Sequence, residues 1–340
     1  MIERQVYRMP KAGSIRQLEL RNETLEASRP DEVCVQVRAI GLNFADIFAM
    51  QGLYSATPAS SFIPGLEFSG EVVAVGAEAG NWRVGDRVMG ATRFGGYVSH
   101  INSHHRYVLP LPAGWSFEEG AGFLVQGLTA YYALTELGNL RPGMNVLIHS
   151  AAGGVGILAN RICQKMGSFT IGTVGQAGKV AFLRQHEQYD EVILRDRDFY
   201  DKLMRSLDGR PLQLIMECIG GRILEQGWKA LAPMGRMVVY GNASFSSHGS
   251  KPNYPRLFWQ YLQRPKIDPL RLPTENKSLM GFNLIYLYDQ TDLMHSLLQG
   301  LQDLQLAPQY IGHVYAFTEM QEAIRLFQQG HTVGKVVVTV

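Results

Sequence analysis

Apolar and polar positions divide the chain into two regions with different periods. Up to about residue 123 the apolar residues come in short runs, "EVCVQVRAIG" and "SGEVVAVG", with "GDRVMG" following. Gly and Pro interrupt these runs about every ten residues, as in a small barrel or sandwich. From Phe123 the pattern changes. "FLVQGLTAYYALTELGNL" has a helical period and stops at Arg141-Pro142-Gly143. Strand-like and helix-like segments then alternate. "NVLIHS", "SFTIGTVG", "EVIL", "LQLIMECIGG" and "RMVVYGNAS" read as strands. "VGILANRICQKMG", "KVAFLRQHEQ", "DFYDKLMRSLDG" and "ILEQGWKALAPMG" read as the helices between and after them. Such alternation with short connections predicts a doubly wound parallel sheet. Beyond Asn242, "SFSSHGSKPNYPRL" reads as a loop, "SLMGFNLIYLY" as a late strand and "TDLMHSLLQGLQDLQ" as an amphipathic helix. The final "VGKVVVTV" reads as a strand that suits the first region's sheet. The chain is thus expected to leave one domain, build a second and return: 1–123 with 307–340, and 124–306.

Composition narrows the possibilities. A chain of 340 residues favours two domains over one core. Hydrophobic content of 46% and charged content of 18% are those of a globular protein. A net charge of +2, with no Lys/Arg run, argues against nucleic acid as a partner. No segment is apolar for the roughly 20 residues a membrane helix needs, and "MIERQVYRMP" lacks a signal-peptide core. Cys34, Cys163 and Cys218 lie far apart in apolar runs, which favours a reducing compartment over a disulfide framework. These features lead us to expect a cytoplasmic protein without a membrane partner.

"NVLIHSAAGGVGILANRI" carries the first candidate chemistry. Ala151-x-Gly153-x-x-Gly156 lies between a strand and a helix, a dinucleotide pattern with alanine at the first glycine position. Small residues there let the chain turn tightly and let backbone N–H groups approach a pyrophosphate. Ala152, Gly153, Gly154 and Val155 are the expected cradle; the competing reading is a plain tight turn. An NAD site places Asp or Glu at the end of the second strand to bind the ribose. Here Thr173, Val174 and Gly175 stand there without an acid, Lys179 follows, and Arg195 follows the next strand. Cations without the carboxylate suit the 2′-phosphate of NADP(H). The competing reading of Lys179 is a solvated lysine at a helix start.

"GLNFADIFAMQGLY", "GDRVMG", "GLTAYYAL", "HSAAGGVG" and "MGRMVVYGNAS" together resemble the medium-chain dehydrogenase/reductase superfamily. More narrowly they resemble its zinc-independent quinone oxidoreductases of the zeta-crystallin type. "MGFNLIYL" and "VGKVVVTV" point to the vesicle amine transport protein-like branch. The resemblance implies an α/β fold: a GroES-like β-barrel catalytic domain plus a Rossmann domain, with NADPH in the cleft between them. It implies a small-molecule substrate, a quinone or similar conjugated carbonyl, and a homodimer joined by the late Rossmann strand. It implies no metal. Asn43 stands where zinc relatives carry Cys, and Leu66-Glu67 where they carry His-Glu. His104 and His105, being adjacent, are expected to diverge as loop histidines rather than join a site.

By the same resemblance the segment Gly41–Tyr54 lines the cleft. Asn43 would contact the cofactor or the substrate carbonyl, Asp46 would fix the segment, and Tyr54 would offer a hydroxyl to the acceptor. Asn43 is also readable as a helix N-cap, and Tyr54 as a packed tyrosine. Met50 stands where many relatives carry Arg, so that contact is lost here. Gln126 and Thr129 are carried over as residues near the nicotinamide. Tyr240, Gly241 and Asn242 fall near the adenosine or ribose, and Phe282, Leu284 and Lys335 over the nicotinamide. Cys218 ends a strand near the cofactor, though as a residue type it reads first as a small buried thiol. Two other activities compete with quinone reduction: an enoyl thioester or 2-alkenal reductase, and a nucleotide-binding protein with little turnover.

Overall fold

The computed structural model describes residues 1–246 and 249–340. The N-terminal part begins with a hairpin of β1 (Ile2–Arg8) and β2 (Glu19–Leu25). It continues with β3 (Glu32–Gly41), helix α1 (Phe44–Gln51), β4 (Glu67–Val75), β5 (Arg87–Ala91), β6 (His100–His104) and β7 (Val108–Pro110). Alternation of buried and half-exposed positions in β3 and β4 matches strands with one face on a core. Helices α2 (Phe117–Ala121) and α3 (Leu124–Tyr131) lead out of this part. The long helix expected from Phe123 to Leu140 is shorter; a wider π-type turn occupies Tyr132–Leu137 before the Arg141-Pro142-Gly143 stop.

The middle region is the expected strand–helix alternation. It contains β8 (Asn145–His149), α4 (Gly154–Lys165), β9 (Phe169–Val174), α5 (Ala177–His186), β10 (Glu191–Leu194) and α6 (Phe199–Leu207). β11 (Leu212–Glu217), α7 (Gly221–Ala230), β12 (Leu231–Val239), α8 (Tyr254–Leu262), α9 (Arg271–Glu275) and β13 (Ser278–Gly281) follow. The six strands form one parallel sheet in the order β10-β9-β8-β11-β12-β13. The order reverses between β8 and β11. In open α/β sheets ligands bind at that switch point, outside the carboxyl ends of the strands.

Three readings change. "LAPMG", taken as the end of a helix, is the start of β12, since α7 stops at Ala230. "SLMGFNLIYLY" is a strand only to Gly281; a short 3₁₀ turn occupies Leu284–Leu287. The segment from Ser244 to Leu257, read as a loop, runs into α8; Ser247 and His248 within it lie outside the described residues. The helix signal was present. The Asn253 side chain accepts from Arg256 N at 3.1 Å, and Pro255 sits in the first turn, where a missing N–H costs nothing.

After α10 (Thr291–Asp303) the chain returns through β14 (Ile311–Ala316), α11 (Met320–Gln328) and β15 (Lys335–Thr339). β15 pairs antiparallel with β3, Val337 opposite Gly41, and extends the N-terminal sheet to the order β14-β15-β3-β4-β5-β7, with β6 also on β3. The last strand therefore belongs to the first sheet, as expected. The fold is α/β: a GroES-like β-domain and a Rossmann-type parallel-sheet domain.

Candidate active site

A cavity of about 1350 Å³ separates the two sheets. Single small-ligand pockets hold roughly 300–1,000 Å³, so a dinucleotide and a second molecule have room here. Its floor is the turn from β8 into α4. Ala152, Gly153, Gly154 and Val155 all line it. No side chain caps α4, so the first N–H groups of this 12-residue helix face the cleft with their dipole. A side chain at 154 would displace the Gln126 and Gln309 amides. A Cβ there would fall 1.5 Å from Gln126 Oε1 and 2.4 Å from Gln309 Oε1. The two amides are joined, Gln309 Nε2 donating to Gln126 Oε1 at 2.8 Å.

At one end of the floor lie Lys179 and Arg195. Lys179 Nζ donates to Gly330 O at 2.7 Å. Arg195 Nη1 donates to Thr173 O at 2.9 Å and to Thr173 Oγ1 at 2.7 Å. Burial, aided by the Arg195 charge, lowers Lys179 to about 8. Both cations donate to neutral oxygens, which leaves charge for an anion. Cys218, Tyr240, Gly241 and Asn242 line the cleft beside them. Cys218 Sγ donates to Ser150 Oγ at 3.4 Å, and burial pushes its thiol up, so it stays a thiol. Thr173 is different from the expectation: it is fully buried beneath the cleft and holds Arg195 from behind.

Beneath that end runs a buried polar chain that the sequence did not reveal. His149 Nδ1 lies 2.7 Å from Thr173 Oγ1, and His149 Nε2 lies 3.2 Å from Glu217 Oε2. Glu217 Oε1 accepts from Ile219 N and Gly220 N, which shapes the turn after β11. Burial opposes the Glu217 charge, but His149 and those N–H groups outweigh it and hold the carboxyl below its usual range. The three residues sit on β9, β8 and β11, neighbours in the sheet. A polar residue at or next to the last position of each of three apolar strands was the available signal.

At the other end α1 begins. Asn43 is 5% exposed and lines the cavity. Its Nδ2 donates to Glu67 Oε1 at 2.9 Å, and its Oδ1 accepts from Lys335 Nζ at 3.0 Å. Lys335 also pairs with Glu67, and both are completely buried. Glu67 Oε2 accepts from Val125 N at 3.0 Å. Gly41 makes room for this cluster: a Cβ there would meet Ala121 O at 2.1 Å and Lys335 Cε at 2.8 Å. Lys335 was expected over the nicotinamide; it lies instead under Asn43, off the cleft surface, because β15 enters the first sheet alongside Gly41. Burial lowers its basicity and Glu67 opposes that.

Asp46 does fix the segment. Its Oδ2 accepts from Asn43 N at 2.8 Å and from the Tyr97 hydroxyl at 3.0 Å. Asn43 is thus the N-cap of α1 and Asp46, three positions on, completes its capping box, while the Asn43 amide also joins the Glu67–Lys335 cluster. Burial pushes the Asp46 carboxyl up to about 7, against those two donors. Tyr54 lines the cavity and its hydroxyl donates to Asn283 Oδ1 at 2.7 Å, a bond between the two domains. Burial raises Tyr54 above the ordinary phenol range, so it keeps its proton. Gln126, Thr129, Phe282 and Leu284 complete this end. Gln126 Nε2 reaches Asn43 Oδ1 at 3.4 Å, and Thr129 Oγ1 donates to Val125 O at 2.7 Å. Met50 is fully buried in the N-terminal core. Gln309 and Asn283 escaped the sequence reading, and Glu67 entered it only through the zinc comparison, since each gains its place from remote partners.

The donor set does not fit zinc. Among the described residues no three His, Cys, Asp or Glu side chains gather as ligands. Asn43 offers an amide, Leu66 is apolar, and Glu67 is already neutralised by Lys335. His104 and His105 do not diverge as expected: their rings stack with centroids 5.0 Å apart.

Residues 29–140 match the alcohol dehydrogenase GroES-like domain, and residues 154–297 match the zinc-binding dehydrogenase family. The synaptic vesicle membrane protein VAT-1 homolog of Danio rerio is 33% identical over 92% of this chain and 65% of its own length. That of Mus musculus is 33% identical over 91% of this chain and 77% of its own. Among solved structures, the CurK enoyl reductase superposes with a TM-score of 0.83 at 28% identity, covering 99% of both chains. The quinone oxidoreductase of Thermus thermophilus, solved also as its NADPH complex, gives 0.80 at 28% identity, over 99% of this chain and 100% of that one.

Proposed function

The chain belongs to the medium-chain dehydrogenase/reductase superfamily, an oxidoreductase family, in its VAT-1-like branch, and from that premise we propose that it is a zinc-independent, NADPH-dependent reductase of quinones or similar conjugated carbonyls. One observation carries the reading. A single cleft joins an uncapped helix N-terminus, two cations without a strand-end acid, and a buried amide and phenol at the far end. The α4 N-terminus would hold the pyrophosphate, and Lys179 with Arg195 the 2′-phosphate. When bound, the reduced nicotinamide supplies a hydride.

The chain's own residues would do the rest. Asn43 is held rigid by Glu67 and Lys335, so its amide meets a ligand already oriented. The Tyr54 hydroxyl is protonated and positioned by Asn283, and it can turn to donate a hydrogen bond or a proton to a developing oxyanion. Lys335 and Glu67 form a buried, mutually neutralising pair behind Asn43, and their role is to fix the orientation of its amide. Phe282, Leu284 and Leu53 exclude water from that end.

The acceptor is tested by NADPH oxidation against quinones, 2-alkenals and enoyl thioesters in parallel. Turnover of quinones above the others supports the reading. Preference for enoyl thioesters would favour the second activity, which the Tyr54–Asn283 pair and the likeness to an enoyl reductase keep in view. No turnover with any acceptor would leave a nucleotide-binding protein. The open edge of β13 suits a homodimer, which sedimentation would test. A cytoplasmic site is part of the same proposal; no helix among the described residues is long and apolar enough to cross a membrane.

A further inference from the structure

Helix α8 places Tyr254, Leu257, Phe258 and Tyr261 at i, i+3, i+4 and i+7, a spacing that stacks them on one face. All four line the cleft. Yet Tyr254 and Phe258 are each 64% exposed and Tyr261 is 51% exposed. Tyr254 and Phe258 face the cavity and are still wet, whereas the Arg264 guanidinium covers one face of the Tyr261 ring at 3.7 Å. Phe44 and Phe48 of α1 line the same cavity. Phe44 is 42% exposed and rests on Phe327, ring centroids 4.5 Å apart. The apolar surfaces from both domains are thus unfilled.

α8 does not hang free over this gap. The stretch before it is tied to the first domain: Ser250 O accepts from Ile15 N at 3.0 Å, and Gly249 O accepts from Gln51 Nε2 at 2.9 Å. The gap is continuous with the space beside Asn43 and Tyr54. A small flat quinone at that position would leave the α8 stripe in water.

We propose that the acceptor carries an extended apolar arm, an alkyl, acyl or isoprenoid chain, that lies along the α8 stripe toward Phe44 and Phe48 while its electrophilic head sits beside Asn43 and Tyr54. This rests on the reading of the cleft as a reductase site, and it adds the class of acceptor. The arm removes both apolar surfaces from water together with its own. Each buried methylene then tightens binding about fourfold, equivalent to ~0.8 kcal/mol.

Two series test it. Turnover is measured with NADPH and 1,4-benzoquinone carrying no chain, or an ethyl, butyl, hexyl or decyl chain. Binding is measured by equilibrium dialysis with redox-inert 4-alkylphenols of the same chain lengths, in the presence of NADP⁺. Both kcat/KM and affinity should rise about threefold to fourfold per methylene through hexyl. Phe258→Ser and Leu257→Ser should flatten both series and leave unsubstituted benzoquinone turnover unchanged. A flat series in an enzyme that reduces benzoquinone overturns the arm and spares the reductase. A steep phenol series without turnover of any acceptor keeps the arm and removes the reductase. A steep series that both serine variants retain places the chain elsewhere and overturns the proposal. So does sedimentation showing that the serine changes split a dimer while the series stays as it was, since the stripe would then be an interface between copies.

Discussion

Replacing Lys179 by alanine probes the cofactor reading most directly. The ammonium uses one hydrogen on Gly330 O and keeps two for a phosphate. An ion pair at about 4 Å in an effective dielectric of about 20 is worth at most ~4 kcal/mol per unit charge. Lys179 is only half-buried, so solvent screens much of that. A charge-assisted hydrogen bond contributes about 1.5–3 kcal/mol net, and the lower half of that range applies here. Lys179→Ala should therefore weaken NADPH about tenfold to thirtyfold. NADH has no 2′-phosphate and should bind as before. The pH dependence has a definite sign. Lys179 titrates at about 8 because of burial and Arg195, so it is charged below that pH and neutral above it. NADPH affinity should thus fall as pH rises through 8, while NADH affinity stays level. In Lys179→Ala that fall should vanish. Calorimetric titration of both cofactors on either side of that pH, at about 7 and about 9, reads all of this. Equal loss for both cofactors in the variant, or equal affinity for both in the unmutated protein, would refute the assignment of Lys179.

Other outcomes follow from the far end of the cleft. Tyr54→Phe removes the donor to Asn283 and keeps the ring; turnover of an enoyl thioester should fall up to roughly a hundredfold, but quinone turnover much less, because solvent can protonate the hydroquinone anion that hydride transfer leaves. Unchanged rates on every acceptor would place the active site elsewhere. Glu67→Gln leaves Lys335 buried without its counter-charge and should destabilise by about 3–5 kcal/mol, seen as a large shift of the urea midpoint; an unchanged midpoint would mean the pair is not buried in solution. Asp46 has a folded pKa raised by burial to about 7, so its contribution to stability is fully present below about 4 and is lost as pH rises toward and through 7. Asp46→Asn should flatten that part of the stability–pH curve, and a variant with the same slope as the parent would contradict it. Prolonged chelation should leave turnover intact, and elemental analysis that found one zinc per chain would overturn the reading of Asn43 and Glu67.

What the sequence determined by itself was everything carried by local period and local chemistry. Strand and helix periods, with Gly and Pro between them, announced the parallel sheet and the β8–α4 phosphate turn, because each depends on residues within about 30 positions of one another. The absent acid after β9, with Lys179 and Arg195 nearby, was legible for the same reason. Helix α8 was locally encoded too, in Asn253 and Pro255, but its signals also describe a loop. Tertiary structure alone decided the rest. Lys335 meets Glu67 across 268 positions and Asn43 across 292, and no pattern along the chain marks such a meeting. It happens because β15 lies against β3, where Gly41 leaves space for an ion pair that could not stay buried unpaired. The same holds for Thr173, His149 and Glu217, drawn side by side only by the strand order, and for the Tyr54–Asn283 bond across the cleft. Periodicity reports which face of an element is buried; what that face meets depends on how distant elements pack.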